Sequence, residues 1–555
     1  MQKRCSILIG IIISCVLCYG QEISIDTEKA ASLSRMADFY YTAHNYEKAI
    51  DMEKKALEMK SMLYGARSLE YAISAFNVAK YYYGRGIELE AEDNSPDFIQ
   101  ATEYANSSMA IIKDTVLSEM EKLDYNARYQ FWQNVNTIFD SIFPRYVAKN
   151  PTDSTLSNLY NTVLFSKGIT WRKYGGTKTT YWKDIQKALC ESDIAIEFIS
   201  PVVPSNDNMV FYALTIKRGY NSPKMIRLFD ILQFQEMLNS YSAKVEKDTM
   251  IGEMVWTPLS SELVGVKNVY FSATHVLNNM PIEYMPISET ENCCDKYNMF
   301  RVSSTQEIVK RKAHNQYRNA VLYGGLRYEP EDGNDVMGTE RSGFEPLPNT
   351  GEEVLEIAKV LGDDGITCLT YTGENGTESS FMSLSGTPID ILHLATHGMY
   401  VSNSEIGRYH DGDEAQHNSI LVLSEANKRQ LKGMIDRADG IVTASDLSKM
   451  NLDNIDIVTL SACESALGEY GVDDSIMGLQ RGFKIAGVNT ILMSLDKVDD
   501  EATRILMVEF YRNLMSGKTK LQSLKEAQKY LRQVENGRYD NSKYWASFIM
   551  LDGLN

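Results

Sequence analysis

Beyond its first twenty residues, the sequence has no long apolar run, and its basic residues are outnumbered by its acidic ones. No later stretch approaches the ~18 consecutive apolar residues of a membrane-spanning helix. Lysine and arginine total 56 against 74 aspartates and glutamates, which gives a formal net charge of −18. Phosphate binding needs a basic surface, so we expect neither nucleic acid nor an anionic membrane surface as a partner. At 555 residues and 44% hydrophobic content, the composition is typical of a globular protein with several domains.

The first twenty residues have the pattern of a secretory signal. Two basic residues precede the apolar run Ile7–Leu17, and the small Gly20 follows it. Such a segment is short for a membrane span and is typical of a leader that is removed on export. We therefore predict a signal peptide at residues 1–20 and an exported mature chain, periplasmic or extracellular, without a transmembrane segment. Lipid attachment at Cys15 is the alternative interpretation.

Cysteine is scarce, and its spacing excludes a disulfide scaffold and a structural zinc site. Of the eight cysteines, those that follow residue 20 are Cys190, Cys293, Cys294, Cys368 and Cys463. So few cysteines cannot staple a chain of this length, and an odd number leaves at least one thiol unpaired. Among these five, no CxxC pair or other zinc-ligand spacing occurs. The unpaired thiol therefore needs a chemical explanation.

Residues 21–177 are low in glycine and proline and have helix-period apolar positions, which predicts an all-α region. In "AASLSRMADFYYTAHNYEKAIDMEKKALEMK" and in a looser copy from about residue 72, apolar residues fall where a tetratricopeptide repeat (TPR) keeps its packing residues. These residues are Met36, Ala37, Tyr40, Tyr46, Ala49 and Ala56, then Val78, Ala79, Tyr82, Phe98, Ala101 and Ser108. The stretch "GRGIELEAEDNSP" is predicted to be a loop inserted between the helices of the second copy. We expect a TPR-like helical arm that binds a protein substrate or a regulator. A helical array that only packs on its neighbour is the alternative.

From about residue 178, short β-type runs replace the helical pattern. We predict a β-rich connector at residues 178–255 and an α/β domain at residues 256–555. In the latter, "NVYFSAT", "NAVLYGGL", "DILHLATH", "DIVTLSAC" and "NTILMSLD" are apolar strand candidates separated by helical stretches. This alternation predicts a three-layer α/β domain with a mainly parallel sheet. In such sheets the active site lies beyond the carboxyl ends of the strands.

Two of these strand patterns end in a thiol and an imidazole. "PIDILHLATH" ends at His397, and "NIDIVTLSAC" ends at Cys463. A cysteine attacks as its thiolate, and a nearby imidazole helps to form the thiolate or protonates the leaving group. Backbone N–H groups at Gly398 and at Cys463 itself are candidate donors to an oxyanion. From the residues alone, a buried structural cysteine and a core histidine are an equally good interpretation.

A series of ordered stretches resembles the CHAT family, caspase-like domains that commonly accompany tetratricopeptide repeats. The stretches are "VWTPLSSEL", "VYFSATHVLNNMPIEYMP", "YNMFRVSST", "PLPNTGEEV", "ILHLATHG", "TASDLSKMNLDNIDIVTLSACESALGE", "GLQRGFKIAGVNTILMSLDKVDDEATRILMVEFYRNLMSG" and "YWASFIML". The resemblance covers about residues 256–555 and implies a His–Cys dyad peptidase, with His397 as general acid/base and Cys463 as nucleophile. Hydrolysis of a peptide bond by such a dyad needs no metal and no organic cofactor, so we expect none. The Q-A-C-[RQG]-G signature of true caspases is replaced by "SACES", so cleavage after aspartate is not implied.

The stretch "SLDKVDDEAT" departs from the family pattern. Relatives usually carry Trp-Pro where this chain has Asp496-Lys497, while Asp499 and Asp500 match the family's acidic pair. In related separase-like peptidases this region recognises a basic P1 side chain. An aspartate just before a helical stretch is equally well explained as a helix N-cap. Both interpretations of Asp499 and Asp500 stay open. The replacement of the family's tryptophan would also change the shape of any P1 pocket, so no specificity is predicted.

His393 lies four residues before His397, a spacing that suits a metal on a helix. This segment, however, has the pattern of a strand and lacks the glutamate of HExxH. We predict that His393 is a core or supporting group, and we predict no metal site.

The sequence supports hypotheses from different classes. The first is a cysteine endopeptidase whose helical arm binds the substrate or a regulator. The second is a protein-binding scaffold whose peptidase fold is catalytically silent. A thiol acyltransferase that uses the same dyad is a further option.

Overall fold

The computed structural model describes residues 25–123, 125–169, 179–203, 208–241, 243–288, 291–310, 316–328, 344–400, 419–426, 440–461, 478–496 and 498–554. The chain divides into two compact units between Gly265 and Val266. The first unit contains the helical region and four antiparallel strands, and the second is an α/β domain. None of the described helices combines the length and the apolar character that crossing a bilayer requires.

The helices of the first unit are α1 (Ile25–Thr42), α2 (Tyr46–Tyr64), α3 (Leu69–Glu88), α4 (Pro96–Glu121), α5 (Tyr125–Thr137), α6 (Phe143–Lys149), α7 (Asp153–Ile169), α8 (Trp182–Ala188), α9 (Ile231–Ser240) and α10 (Lys244–Trp256). A π-helical turn at Ile138–Ile142 joins α5 to α6. The side chains of Asn45 and Ser68 cap α2 and α3 by accepting hydrogen bonds from backbone N–H groups. Helix α1 packs on α2, α2 packs on α3, and α3 packs on α4, as expected of helical hairpins.

Most of the predicted packing residues of this region are buried. The structure differs from the prediction at Met36, which is exposed, and in the stretch predicted to be a loop. Ala37, Ala49 and Val78 are fully buried, whereas Met36 is 43% exposed. The stretch predicted to be an inserted loop is helical in its first part, because α3 continues to Glu88. Arg85 in this extra turn donates to both carboxylate oxygens of Asp97 on α4, at 2.9 and 2.6 Å, and so holds the turn against the next helix.

The first unit also contains four antiparallel strands. These are β1 (Asp193–Ile199), β2 (Val202–Val203), β3 (Asn208–Ile216) and β4 (Lys224–Asp230). Strand β3 pairs with each of the other three. The predicted domain boundaries at residues 177/178 and 255/256 stay predictions.

The strands of the second unit are β5 (Asn268–Ser272), β6 (Asn298–Arg301), β7 (Asn319–Leu326), β8 (Thr367–Gly373), β9 (Ile391–Leu394), β10 (Gly398–Tyr400), β11 (Ser419–Val422), β12 (Ile441–Thr443), β13 (Ile457–Leu460), β14 (Thr490–Ser494) and β15 (Phe548–Leu551). Its helices are α11 (Cys293–Lys296), α12 (Glu307–Lys310), α13 (Pro348–Asp363), α14 (Glu378–Met382), α15 (Ala444–Lys449), α16 (Leu479–Ala486), α17 (Asp500–Met515) and α18 (Lys520–Gln533). All five apolar runs predicted to be strands contain strands.

The main sheet of this unit has the strand order β5-β6-β15-β14-β13-β9-β7-β8. Among these strands, only the pair β14–β15 is antiparallel in the described part of the chain. Strands β14, β13, β9, β7 and β8 therefore run in one direction, and their carboxyl ends meet at one edge. The predicted fold class, a helical region followed by an α/β domain with a mainly parallel sheet, is confirmed.

Helix α13 approaches strand β7 closely at a glycine. A Cβ atom on Gly324 would lie 2.4 Å from the carbonyl oxygen of Thr350, a distance that a side chain cannot adopt. The next residue, Gly325, donates its N–H to the hydroxyl of Thr350 at 2.9 Å. Helix α13 also packs on α17, which in turn packs on α18. These contacts fix α13 against the sheet, close to the edge where the strands end.

Candidate active site

The carboxyl edge of the parallel strands brings together the residues that follow four of the predicted strands. Tyr328 follows β7, His397 follows β9, and Ser461 follows β13. Asp499 and Asp500 follow β14 at the same edge. The fold thus collects these segments at one place, although they are far apart in sequence.

The imidazole of His397 is held by a backbone carbonyl and by two aromatic rings. Its Nε2 lies 2.7 Å from the carbonyl oxygen of Glu345. Because a carbonyl only accepts, Nε2 carries the proton, and Nδ1 is the nitrogen available for proton transfer. The ring centroids of Tyr328 and Phe344 lie 5.0 and 5.8 Å from that of His397. The ring is thereby oriented while it remains partly exposed.

A small second sheet holds the backbone around His397. Strands β10, β11 and β12 pair antiparallel, and β10 begins at Gly398, opposite Leu421. Val422 donates its N–H to the carbonyl of His397 at 2.9 Å, and its own carbonyl accepts from the hydroxyl of Thr396 at 2.6 Å. Strand β9 of the main sheet therefore leads to His397, and the small sheet holds the backbone carbonyl of this residue. The assignment of the Gly398 N–H to an oxyanion site stays a prediction.

Cys463 lies outside the described residues, which end on its strand at Ser461. Strands β9 and β13 are parallel neighbours, with Leu394 opposite Leu460. The N–H of Ser461 donates to the carbonyl of Leu394 at 2.9 Å and continues this pairing. His397 is three residues past Leu394, and Cys463 is three residues past Leu460.

Asp499 and Asp500 have different roles in the structure. Asp499 is the N-cap of α17, and its carboxylate accepts from the N–H of Ala502 at 3.0 Å. Asp500 is partly buried, and burial raises the pKa of its carboxyl group. The negative charges of Glu353 and Asp499 raise this pKa further, whereas His397 opposes the shift. Asp500 therefore lies within electrostatic reach of His397.

Replacement of Asp499 by alanine is expected to destabilise the second unit by about 1 kcal/mol, because α17 loses its N-cap hydrogen bond. Thermal unfolding of Asp499→Ala and Asp499→Ser measures this effect. The serine variant keeps a capping oxygen and should stay close to the wild type. Equal losses in the two variants would show that the cap does not stabilise α17.

His393 lies in the core rather than at the site. Its side chain is fully buried on β9, between Glu353 of α13 and Tyr511 of α17. Within the described ranges, no group of three or more histidine, cysteine, aspartate or glutamate side chains is arranged to hold a metal ion.

Sequence reasoning did not identify the groups that hold His397. The Glu345 contact is made by a backbone carbonyl, for which side-chain identity gives no signal. Tyr328 is separated from the strand pattern "NAVLYGGL" by one residue, so an aromatic side chain just past the strand end was the available signal. Burial raises the pKa of the Tyr328 hydroxyl to about 12, and this hydroxyl pairs with Thr396 at 2.8 Å.

The family model of the CHAT domain matches residues 248–553, more than half of the chain. The chain therefore belongs to the CHAT-domain family, and its second unit has the caspase-like α/β architecture that this resemblance predicted. The resemblance inferred from the ordered stretches is confirmed.

Two curated relatives share part of the sequence. Tetratricopeptide repeat protein 28 of Homo sapiens is 23% identical over 283 residues, which are 48% of this chain and 11% of the relative. The Mus musculus protein of the same name is 24% identical over 254 residues, 43% of this chain and 10% of the relative. The chain thus spans about a tenth of the length of the curated relatives that it matches.

Two solved structures align with this chain at low sequence identity. The Arg-specific cysteine proteinase gingipain R aligns with 57% of this chain and 68% of its own, at 9% identity and a TM-score of 0.35. The Saccharomyces cerevisiae separase–securin complex aligns with 98% of this chain and 48% of its own, at 10% identity and a TM-score of 0.43.

Proposed function

We propose that this chain is an exported cysteine peptidase that cleaves protein substrates through His397 and Cys463. The observation that carries the proposal is the state of His397, whose Nε2–H is held by a carbonyl at the carboxyl edge of a parallel sheet. Membership of the CHAT-domain family supports the proposal. So does the sequence spacing, because His397 and Cys463 each come three residues after one member of the strand pair Leu394 and Leu460.

In the proposed reaction, Nδ1 of His397 takes the thiol proton, and the Cys463 thiolate attacks the carbonyl carbon of the scissile peptide bond. Backbone N–H groups, with those of Gly398 and Cys463 as candidates, stabilise the oxyanion that forms. His397 then gives its proton to the leaving amine, and the C–N bond breaks. Water, deprotonated by His397, hydrolyses the thioester and regenerates the thiol.

Two further parts of this proposal concern the partner that the helical arm binds and the P1 side chain that Asp500 contacts. The helical hairpins of the first unit would bind the protein substrate or a regulator, as tetratricopeptide-type arrays do. Asp500 stands at the site edge and, unlike Asp499, makes no cap hydrogen bond, so it is the better candidate to contact a basic P1 side chain. A peptide library varied at P1 tests this point, and a preference for lysine or arginine that is lost in Asp500→Asn would support it.

A labelling experiment tests the dyad itself. Residues 21–555 are treated with iodoacetamide near pH 7, and alkylation of each cysteine is followed by mass spectrometry. We expect Cys463 to react about tenfold faster than the exposed Cys190, because a paired imidazole increases its thiolate fraction. This advantage should disappear in His397→Ala and persist in His44→Ala, a matched change at an exposed histidine of the first unit.

Three other results would change the assignment. Equal alkylation of Cys463 in the wild type and in His397→Ala would contradict the dyad. Slow alkylation of Cys463, together with no cleavage in the peptide library, would favour a catalytically silent scaffold. Products that require an added amine would indicate acyl transfer instead of hydrolysis.

A further inference from the structure

His393 has no role in the proposed chemistry, yet it is the centre of a buried chain of hydrogen bonds. Its Nε2 lies 2.9 Å from Oε1 of Glu353, and its Nδ1 lies 3.3 Å from the hydroxyl of Tyr511. That hydroxyl lies 2.8 Å from Oγ1 of Thr459. The four side chains are at most 1% exposed. Groups of this polarity are kept in a core only when each has a partner.

A carboxylate accepts, so Glu353 accepts from Nε2–H of His393. The Tyr511 hydroxyl bridges Nδ1 of His393 and the Thr459 hydroxyl, and its one proton serves one of these two contacts. Burial raises the pKa of Tyr511, and the charge of Glu353 raises it further, so this hydroxyl keeps its proton. Loss of any member leaves a buried neighbour without its partner.

This chain of hydrogen bonds connects the two elements next to His397 and Glu345, the residues whose Nε2 and carbonyl oxygen are in contact. His393 lies on β9, four residues before His397. Glu353 lies on α13, and the segment that leads into this helix contains Glu345, whose carbonyl accepts from His397. The bond between His393 and Glu353 therefore joins β9 directly to α13, in addition to the contacts that α13 makes with β7 and α17.

We propose that Glu353, His393 and Tyr511 are positioning residues of the site, which act by holding the Nε2 of His397 against the carbonyl of Glu345. They do not touch the reacting atoms. Thr459 completes the chain from β13, where it is the direct strand partner of His393. The consequence for catalysis rests on the proposed function, whereas the consequence for the imidazole of His397 does not.

A matched pair of substitutions at Glu353 tests this proposal. Glu353→Gln keeps an oxygen that accepts from His393, whereas Glu353→Met has a similar size and no acceptor. The first readout is the rate at which diethyl pyrocarbonate modifies His397 in the full chain, measured by mass spectrometry with the exposed His44 as an internal reference. We expect Glu353→Met to raise this rate about fivefold, the equivalent of one lost hydrogen bond. Glu353→Gln should stay within about twofold of the wild type.

The second readout is peptide cleavage. Loss of orientation at His397 is expected to lower kcat about tenfold in Glu353→Met, with KM nearly unchanged, and Glu353→Gln should restore kcat. Tyr511→Phe removes one hydroxyl from this chain of hydrogen bonds with little change in shape. If Glu353→Met does not fold, the modification rate of His397 and the kcat are measured on Tyr511→Phe instead. Its matched control is Tyr323→Phe, which removes a buried hydroxyl bonded to Ser380, outside the chain.

The outcomes separate the two proposals. A faster modification of His397 in Glu353→Met or Tyr511→Phe, but not in Glu353→Gln or Tyr323→Phe, supports the positioning role even if no variant cleaves peptides. Absence of cleavage in the wild type would count only against the peptidase assignment. An unchanged modification rate in both Glu353→Met and Tyr511→Phe would overturn the positioning role.

Discussion

Replacement of Cys463 by alanine is expected to lower kcat/KM for peptide cleavage by at least about 10³-fold, because removal of the nucleophile from an acyl-transfer site eliminates the covalent route. Backbone donors and substrate binding would remain, but they give only the residual rate over water. Hydrolysis of fluorogenic peptides by residues 21–555, with and without the substitution, measures the effect.

The matched control for this experiment is Cys190→Ala. Cys190 is exposed and lies in the first unit, so its loss should leave cleavage unchanged. If Cys463→Ala and Cys190→Ala cleave equally well, the activity belongs to another group or to a contaminant, and the proposed mechanism is wrong.

The second large effect is expected at a buried ion pair between Asp456, which directly precedes β13, and Lys520, the first residue of α18. Oδ1 of Asp456 lies 2.8 Å from Nζ of Lys520, and both side chains are nearly inaccessible to solvent. Tyr317 and Asn489 also donate to this carboxylate, each at 2.8 Å. Asp456→Asn leaves the lysine ammonium buried without its counter-ion. We expect a loss of about 3–5 kcal/mol in the free energy of unfolding at pH 7, measured by urea denaturation.

The pH dependence of this effect follows from the pKa of Asp456. Burial raises this pKa, but the charge and hydrogen bond of Lys520 and the bonds from Asn489 and Tyr317 outweigh burial, so the pKa is lowered. The stabilisation is therefore present above the unfolded-state pKa of about 3.9 and is lost as the pH falls through the lower folded-state value. The difference in stability between the wild type and Asp456→Asn should accordingly shrink below about pH 4.

Two further variants make this prediction specific. Asp540→Asn breaks an exposed pair with Arg532 and should change the stability by less than about 1 kcal/mol. The double variant Asp456→Asn, Lys520→Met removes the unpaired ammonium and should recover much of the loss. A single variant as stable as Asp540→Asn would contradict the assigned role of the pair.

Strand and helix positions in the second unit were predictable because their patterns are local. "DILHLATH" and "DIVTLSAC" have the continuous apolar character of strands buried on both faces, and they form β9 and β13. Since β9 and β13 are parallel neighbours, the prediction that His397 lies at the carboxyl edge followed from the pattern alone.

The partners of these residues were not predictable, because they come from contacts between distant segments. His393 meets Glu353 and Tyr511, which are 40 and 118 residues away in the sequence. The carbonyl of Glu345 has no residue-type signature at all. The antiparallel pairing of β15 with β14 also depends on the path of the chain rather than on a local pattern. In the first unit, the helical pattern at residues 84–88 was masked by glycines, although α3 continues through them.

The small sheet of β10, β11 and β12 has a mechanical consequence. The carbonyl of His397 is bonded to Val422, while the strand that precedes His397 belongs to the main sheet. His397 thus lies between the two sheets, so a displacement of β10, β11 and β12 relative to the main sheet would move its backbone. We therefore expect a molecule that binds only the small sheet to change the position of His397 without contacting its imidazole.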